Sequence, residues 1–355
     1  MPINIIAASD ALAQLDQYDR IIDARSPSEY ALDAIPGADN WPSLDDEQRI
    51  TIGTLYKQTG GFEAKKAGAV LVARNIAAHV EQHLLDAPRG WQPLLYCWRG
   101  GNRSGALATV LSAIGFKVSL IEGGYKAFRA TVMSQTPELV KPLQLRVVAG
   151  PTGVGKTHVL HALARMGAQV IDLEGIAKHR SSVLGIIPGT PQPSQKAFET
   201  QLWQALRQLD STRPVYIESE SKRVGNVTVP ESLITAMRAS PCHLLSMDDA
   251  SRVRLLMRDY DFFVNDSALF GERLDTLVAL LGHATINEWK ALAQDGNSAQ
   301  VVAQLLGSHY DPKYFESMAR NFARYSSANA VHLRDDTPAS IEAAAAAILH
   351  ADAPL

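Results

Sequence analysis

The chain has 355 residues, 46% of them hydrophobic and 20% charged, which is typical of a folded globular protein and long enough for two domains. Its net charge of −3 excludes nucleic-acid binding driven by global charge, so such binding would need local basic patches. We find neither a signal peptide nor a run of 18 apolar residues, so we expect no membrane span and a cytoplasmic location.

Strand and helix patterns alternate through the first 130 residues, which predicts a parallel sheet with helices on both faces. A helix after the first strand is capped by Ser26 or Ser28, with Glu29 in its first turn. The predicted elements are a strand at 20–23, a turn-rich connector at 35–42, a helix over most of 62–87, and strands at 94–96 and 117–121.

Cys97 follows a buried strand and precedes a helix that we predict to begin at Ser104. Backbone N–H groups converge at such a position, and the helix dipole is positive there. Together with Arg99 and Arg103, this environment favours a thiolate and an oxyanion beside it. We therefore interpret Cys97 as a nucleophile that handles a chalcogen or a phosphorus oxyanion, rather than as an inert buried cysteine.

Residues 150–157 read G-x-x-x-x-G-K-T, between an apolar strand at 145–149 and a helix at 158–166. In such a loop the backbone N–H groups wrap a phosphate, Lys156 adds a positive charge, and Thr157 can reach Mg²⁺. The glycines of the loop are Gly150, Gly153 and Gly155. The motif predicts phosphate binding, but a nucleotide and another diphosphate ester would satisfy the same donors. We assign no set of metal ligands.

Further strands at 168–171, 215–217, 243–247 and 330–333, with a closing helix at 338–350, would complete a P-loop domain. Residues 251–327 would then form a mostly helical insertion, and 136–142 a linker before the domain.

Within the insertion, Arg254 and Arg258 lie on one helix face at i, i+4. They either close over phosphates, contact RNA, or pair with Asp259 or Asp261 on a solvated face.

Acidic residues follow two of these strands, and basic residues come a few positions later. In parallel sheets of this kind the carboxyl edge holds the substrate. Glu218 stands where P-loop proteins usually carry an Mg²⁺-binding aspartate, so Mg²⁺ binding and ATP hydrolysis stay open. The candidate substrate-binding residues are Asp172, Glu174, His179, Arg180, Glu218, Glu220 and Arg223.

The motifs D-A-R-S-P-x-E-Y, I-P-G-A-x-N-x-P and E-G-G-Y-x-A-F follow one another within residues 5–130, and this part of the chain resembles a rhodanese domain. Arg103 follows Cys97 by six residues, whereas the arginine of a common rhodanese loop follows by five. The longer loop is similar to that of rhodanese-like phosphatases and arsenate reductases, and such a loop could accept a tetrahedral oxyanion or a larger chalcogen.

The runs C-W-R-G-G-x-R-S, G-P-T-G-x-G-K-T, D-L-E-G-x-A-x-H-R and E-S-E-S-x-x-x-G make essentially the whole chain similar to the tRNA 2-selenouridine synthase family. The resemblance implies an α/β protein with a rhodanese-like domain at 1–135. A P-loop NTPase-like parallel-sheet domain with the helical insertion would follow at 143–355.

The family is a group of selenotransferases that replace the sulfur of a wobble 2-thiouridine in tRNA by selenium from selenophosphate. An S-geranylated intermediate made from geranyl diphosphate is associated with the reaction. On this resemblance Cys97 would take up selenium or assist the exchange, and Arg99 and Arg103 would neutralise selenophosphate. Lys156 would stabilise the departing diphosphate. Candidate tRNA phosphate contacts are Lys178, Arg180, Lys222 and Arg223.

Two alternatives remain open. One is a small-molecule kinase or ATPase fused to a sulfurtransferase, which would turn over nucleotide without RNA. The other is a non-catalytic RNA-binding protein whose rhodanese part only recruits a partner.

Overall fold

A computed structural model describes residues 2–99, 101–182 and 184–353. By its internal contacts the chain divides into two compact units, one made of 1–135 with 199–204 and the other of 136–198 with 205–355. Across the described ranges, no helix combines the length and the apolar character that a bilayer crossing requires.

The first unit contains a five-stranded parallel sheet with the order β1-β5-β4-β2-β3. This sheet confirms the α/β class predicted from the alternating pattern. Its strands are β1 (Asn4–Ile6), β2 (Arg20–Asp23), β3 (Ala38–Asn40), β4 (Pro93–Tyr96) and β5 (Ser119–Ile121). The helices around it are α1 (Ala8–Ala13), α2 (Pro27–Leu32), α3 (Asp46–Thr59), α4 (Gly61–His83), α5 (Asn102–Ile114) and α6 (Gly124–Val140).

Local signals explain where these elements begin. Of the two predicted caps, Ser26 is the one at the start of α2, and it forms a capping box with Glu29. Ser104 is not a cap, because α5 already begins at Asn102 after a left-handed glycine, and Ser104 is buried in its first turn. Helix α3 was not predicted, although Asp45 and Gln48 form a capping box at its start. The predicted connector at 35–42 contains the short strand β3.

The predicted linker at 136–142 is also wrong in part, because residues as far as Val140 belong to α6. The helix runs on for three residues beyond Pro137, whose ring removes one backbone donor. Pro137 therefore lies within the last helical turn.

The second unit contains another five-stranded parallel sheet, with the order β12-β11-β6-β8-β7. Its strands are β6 (Gln144–Ala149), β7 (Gln169–Ile171), β8 (Pro214–Glu218), β11 (Cys242–Ser246) and β12 (Asn329–His332). A separate antiparallel pair is formed by β9 (Arg223–Val224) and β10 (Val227–Thr228).

Helices surround this sheet and form nearly all of residues 249–321. In chain order they are α7 (Lys156–Arg165), α8 (Leu173–Ala177), α9 (Gln195–Arg207), α10 (Glu231–Ala239), α11 (Asp249–Asp259), α12 (Asp261–Asn265), α13 (Ser267–Asp275), α14 (Val278–Leu281), α15 (His283–Gln294), α16 (Ser298–Leu305), a π-helical turn at Leu306–Tyr310, α17 (Asp311–Asn321) and α18 (Pro338–Ala351).

Strand β6 lies at the centre of the second sheet. Val147 and Val148 are fully buried, as expected for a parallel strand covered on both faces. Because β6 pairs with β8 and β11, its carboxyl end lies beside those of both neighbours. Loops that leave these ends therefore meet at one edge of the sheet.

Candidate active site: a phosphate loop and a cysteine loop

The phosphate loop leaves β6 at Ala149 and turns on three glycines with positive φ, namely Gly150, Gly153 and Gly155. Gly150 has to lack a side chain, because a Cβ there would lie 2.9 Å from the carbonyl oxygen of Leu245. At Gly153, a Cβ would lie 2.7 Å from Leu256 Cδ1. The loop runs directly into α7, so free N–H groups of the helix N-terminus face the loop.

Lys156 and Thr157 are both held by protein groups. The Lys156 ammonium donates to the carbonyl of Gly150 at 2.9 Å. The Thr157 Oγ1 lies 3.1 Å from a Glu174 carboxylate oxygen and 3.2 Å from one of Glu218. The hydroxyl that binds Mg²⁺ in other phosphate loops therefore contacts two acids here.

Glu174, Glu218 and Glu220 form a cluster behind the loop, and Glu218 also accepts the backbone N–H of Glu174 at 2.9 Å. Burial, followed by the charge of Glu220, raises the pKa of Glu174 to about 8. Burial and the neighbouring carboxylates raise the pKa of Glu218 well above its usual value. Burial also raises the pKa of Glu220, which accepts a hydrogen bond from Ser181. The cluster therefore favours protonated carboxyl groups.

A cavity of about 690 Å³ lies over the loop. Asp172 caps α8 through the N–H of Gly175 and also contacts His161, with 2.7 Å between Oδ2 and Nε2. His179 is buried, and burial lowers its pKa, so its ring is neutral at pH 7. Arg180 donates to the carbonyl of Asp259.

Two residues of the helical region hold the loop and were not predicted for this role. The Tyr314 hydroxyl accepts the N–H of Gly150 at 2.5 Å, and the Tyr314 ring lies 5.6 Å from the Lys156 ammonium. Arg252 donates to the carbonyl of Thr152 at 2.7 Å and pairs with Asp311 at 2.6 Å. These contacts join segments far apart in sequence, so no local pattern indicates them.

Arg254 and Arg258 do not reach the loop. Both pair with Asp336, at 3.0 and 3.2 Å, after β12. The structure therefore does not support their interpretation as a lid over phosphates. The alternative that these arginines pair with an acidic residue is confirmed, but the acid is Asp336 and not Asp259 or Asp261. The fold brings the residues after β12 beside α11.

An apolar cleft continues from the cavity into the helical region. Thr152, Leu256 and Tyr260 line both spaces, so the cleft begins at the phosphate loop itself. Its other walls include Phe263, Phe270, Val302 and Leu305. A phosphate site thus borders a narrow space lined by aliphatic and aromatic side chains.

The cysteine loop lies in the first unit. Cys97 follows β4 and is 3% exposed, so its side chain is buried. Its carbonyl accepts the N–H of Tyr125 at 2.7 Å. Gly124, with φ +56°, allows this approach, because a Cβ there would lie 2.3 Å from that carbonyl oxygen. The E-G-G-Y turn thereby packs against the loop, of which Gly100 lies outside the described residues.

Arg103 faces an acid. Its Nη1 lies 2.6 Å from a Glu29 carboxylate oxygen in helix α2. Burial would raise the pKa of Glu29, but the hydrogen bond and charge of Arg103 outweigh it, so the pKa is lowered. Arg99 is exposed. Arg103 thus pairs with Glu29, and the role of both arginines toward an oxyanion stays a prediction.

Comparison with known proteins finds a matching family for each of the two regions that contain these loops. The family model of the tRNA 2-selenouridine synthase AAA domain matches residues 143–269, and that of the rhodanese-like domain matches 7–131. A tRNA 2-selenouridine synthase of Alcanivorax borkumensis is 33% identical over 84% of this chain and 90% of its own length. This chain belongs to the tRNA 2-selenouridine synthase family. The resemblance seen in the sequence is thereby confirmed.

Two further tRNA 2-selenouridine synthases extend the comparison. That of Shewanella piezotolerans is 32% identical over 96% of this chain and 89% of its own length. That of Nitrosomonas europaea is 37% identical over 68% of this chain, and the match spans 63% of that protein, less than two thirds of it.

In this member of the synthase family, the fold brings most of the predicted substrate residues to one place. The residues that line the cavity are Asp172, Glu174, His179, Arg180 and Glu220. Glu218 lies beneath it, hydrogen-bonded to Thr157. Arg223 is exposed in β9 and does not line the cavity, because the chain turns back there into a small antiparallel pair.

Proposed function

We propose that this protein is a selenotransferase that replaces the sulfur of wobble 2-thiouridine in tRNA by selenium from selenophosphate, through S-geranylation with geranyl diphosphate. One observation carries the proposal. A phosphate loop at the end of β6 and a cysteine loop at the end of β4 occur in one chain of the synthase family. The two loops suit two successive reactions on one nucleobase.

The first reaction is alkylation. The sulfur at C2 of the base attacks C1 of the geranyl chain, the C1–O bond breaks, and its electron pair leaves with diphosphate. The N3 proton is released to solvent. The N–H groups at the start of α7 and the Lys156 ammonium stabilise the departing charge. Alkylation makes the sulfur at C2 a better leaving group for the second reaction.

The apolar cleft supports a prenyl ester over a nucleotide. Leu256 and Tyr260 line both the phosphate cavity and the cleft, so an apolar chain on a diphosphate at the loop would start at the cleft. The cleft has a volume of about 50 Å³ and would have to widen to take all ten carbons of a geranyl chain. A ribose with a polar base would find few hydrogen-bond partners among Phe263, Phe270 and Val302.

The loop offers few oxygen ligands for Mg²⁺. Among residues 2–99, 101–182 and 184–353, no group of three or more His, Cys, Asp or Glu forms a ligand set. Mg²⁺ is commonly held by one or two protein oxygens together with substrate phosphates. Thr157 and Glu218 would hold it here, and the ion would neutralise charge on the leaving diphosphate.

The second reaction delivers selenium. Selenophosphate is a tetrahedral anion, and the six-residue spacing from Cys97 to Arg103 suits it. Attack of the Cys97 thiolate on phosphorus forms an S–P bond, breaks the P–Se bond and releases selenide. Selenide then attacks C2 of the geranylated base, and the C2–S electron pair leaves with geranylthiolate. Water hydrolyses the S–P bond to phosphate and restores the thiol.

The test is mass spectrometry of tRNA nucleosides from a deletion strain complemented with wild type or variants. We expect Lys156→Ala to lose geranylated nucleoside, and Cys97→Ser to lose selenouridine while geranylated nucleoside accumulates. Lys117→Ala and Cys242→Ser are matched controls outside the two loops and should behave as wild type. Normal selenouridine in both loop variants would refute the assigned roles. ATP turnover without RNA by the purified protein would instead support a kinase or ATPase.

A further inference from the structure

Helices α3 and α4 form a hairpin whose surface carries large exposed apolar side chains. The two helices are joined at Gly60, which has φ +97°. No residue of α3 is fully buried. Ile50, Tyr56, Phe62 and Val70 are between 53% and 72% exposed. Several such side chains on one element are more than the scattered apolar residues of an ordinary surface, and they indicate a binding surface.

The two helices together carry four carboxylates and five cations, but the middle of the hairpin is strongly basic, although the whole chain has a net charge of −3. Residues 49–74, which we call the basic hairpin, contain one carboxylate, Glu63. The cations of the basic hairpin are Arg49, Lys57, Lys65, Lys66 and Arg74. This local excess of positive charge is the kind of basic patch that nucleic-acid binding needs in an overall acidic protein.

Apolar and basic side chains alternate along one exposed ridge of α4. Phe62, Lys66, Val70 and Arg74 follow one another at intervals of four residues, so they are neighbours on the helix surface. All four are exposed. The Lys66 ammonium lies 5.0 Å from the centroid of the Phe62 ring, which brings a cation beside an open aromatic face.

A second ring lies at the tip of the basic hairpin. A Cβ built on Gly61 would lie 3.0 Å from Tyr56 Cε2, so this ring packs against the backbone where a side chain is missing. The rest of the ring faces solvent, because Tyr56 is 60% exposed. Two aromatic rings therefore flank the turn at Gly60, with lysines on both helices.

We propose that the basic hairpin binds the single-stranded anticodon loop of the tRNA substrate, with bases stacked on Tyr56 and Phe62. Phosphates would contact Lys57, Lys65 and Lys66. The inference rests on the proposed function, which makes tRNA the substrate. Stacked aromatic rings between cations are the common means of holding unpaired nucleotides. A second copy of the same surface is disfavoured, because it would bring like charges together.

The test uses the full chain and a fluorescently labelled anticodon stem-loop with 2-thiouridine at the wobble position. We expect Tyr56→Ala and Phe62→Ala each to weaken binding about tenfold in anisotropy titrations, as loss of one stacked base does. Lys65→Glu with Lys66→Glu removes two phosphate contacts and should reduce the magnitude of the slope of log K against log salt by about 1.4. Leu85→Ala and Lys117→Glu change exposed residues outside the basic hairpin and should bind as wild type.

Unchanged affinity and salt slope in all hairpin variants would overturn the inference. A hairpin variant that shifts the sedimentation coefficient from oligomer to monomer, with RNA affinity unchanged, would overturn it in favour of a protein interface. Failure of the proposed function looks different. In that case the wild-type protein would bind the stem-loop and the hairpin variants would bind it more weakly, but no geranylated or selenated nucleoside would form.

Discussion

The buried carboxyl groups behind the phosphate loop predict how stability depends on pH. The pKa of Glu174 is about 8 in the folded protein, against an ordinary value of 4.5. Between these values the folded protein holds a proton that the unfolded chain has released. The free energy of unfolding must therefore fall as pH rises from about 5 to about 8.

The expected size follows from that pKa. One group that is protonated only in the folded state gives a slope of at most about 1.4 kcal/mol per pH unit. From pH 6 to pH 8 this amounts to about 2 kcal/mol for Glu174. In a unit of this size, about 2 kcal/mol corresponds to a Tm shift of roughly 4–8 °C. Glu174→Gln removes the titrating proton but keeps an oxygen that can accept the Thr157 hydroxyl.

Scanning calorimetry of the full chain at pH 6 and pH 8, with a metal chelator present, measures the effect. We expect the Tm of wild type to fall over this interval, and that of Glu174→Gln to fall by several degrees less. Glu231→Gln is the matched control, because Glu231 is exposed and paired with Lys222. An equal fall in wild type and Glu174→Gln would refute the reasoning that burial keeps this carboxyl protonated.

Three further predictions concern single residues. Arg252→Met leaves the carboxylate of Asp311 without its partner. The free energy of unfolding measured by chemical denaturation should therefore fall by about 3 kcal/mol, and calorimetry should show weaker pyrophosphate binding. Gly153→Ala forces a left-handed conformation on alanine, so the Tm and pyrophosphate affinity should both fall, and unchanged values would contradict this. Burial raises the pKa of Cys242 to about 11. Peptide mapping of native protein at pH 8 should therefore show that iodoacetamide modifies Cys97 before Cys242.

Much of the fold could be predicted because its signals are local. Buried strands such as Leu94–Tyr96 lie between turn residues, and the glycine-rich loop follows its strand directly. The missed elements had weaker or misleading signals. Helix α3 lacks a buried apolar stripe, so apolar periodicity did not reveal it. Strand β3 has three residues and lies within a segment rich in proline and glycine.

In the candidate site, too, some residues could be predicted from local signals and others could not. Lys156 and Thr157 could be identified because their motif places them at a helix N-terminus. The contacts that hold the loop could not, since Tyr314 is 164 residues from Gly150, and Arg252 is 100 residues from Thr152. Such pairs depend on how the helical region packs on the sheet, and a single sequence carries no periodicity that encodes them.

Three polar groups of the phosphate loop are hydrogen-bonded to protein groups. The Lys156 ammonium donates to Gly150, the N–H of Gly150 donates to Tyr314, and the Thr157 hydroxyl contacts Glu174 and Glu218. A diphosphate with a cation would replace these partners with its own oxygens and positive charge. A cation beside raised-pKa carboxyl groups favours their ionised form. Binding of Mg²⁺ and pyrophosphate should therefore release protons, so the measured enthalpy should differ between buffers of different ionisation enthalpy. An enthalpy independent of the buffer would mean that the carboxyl groups keep their protons when the site is filled.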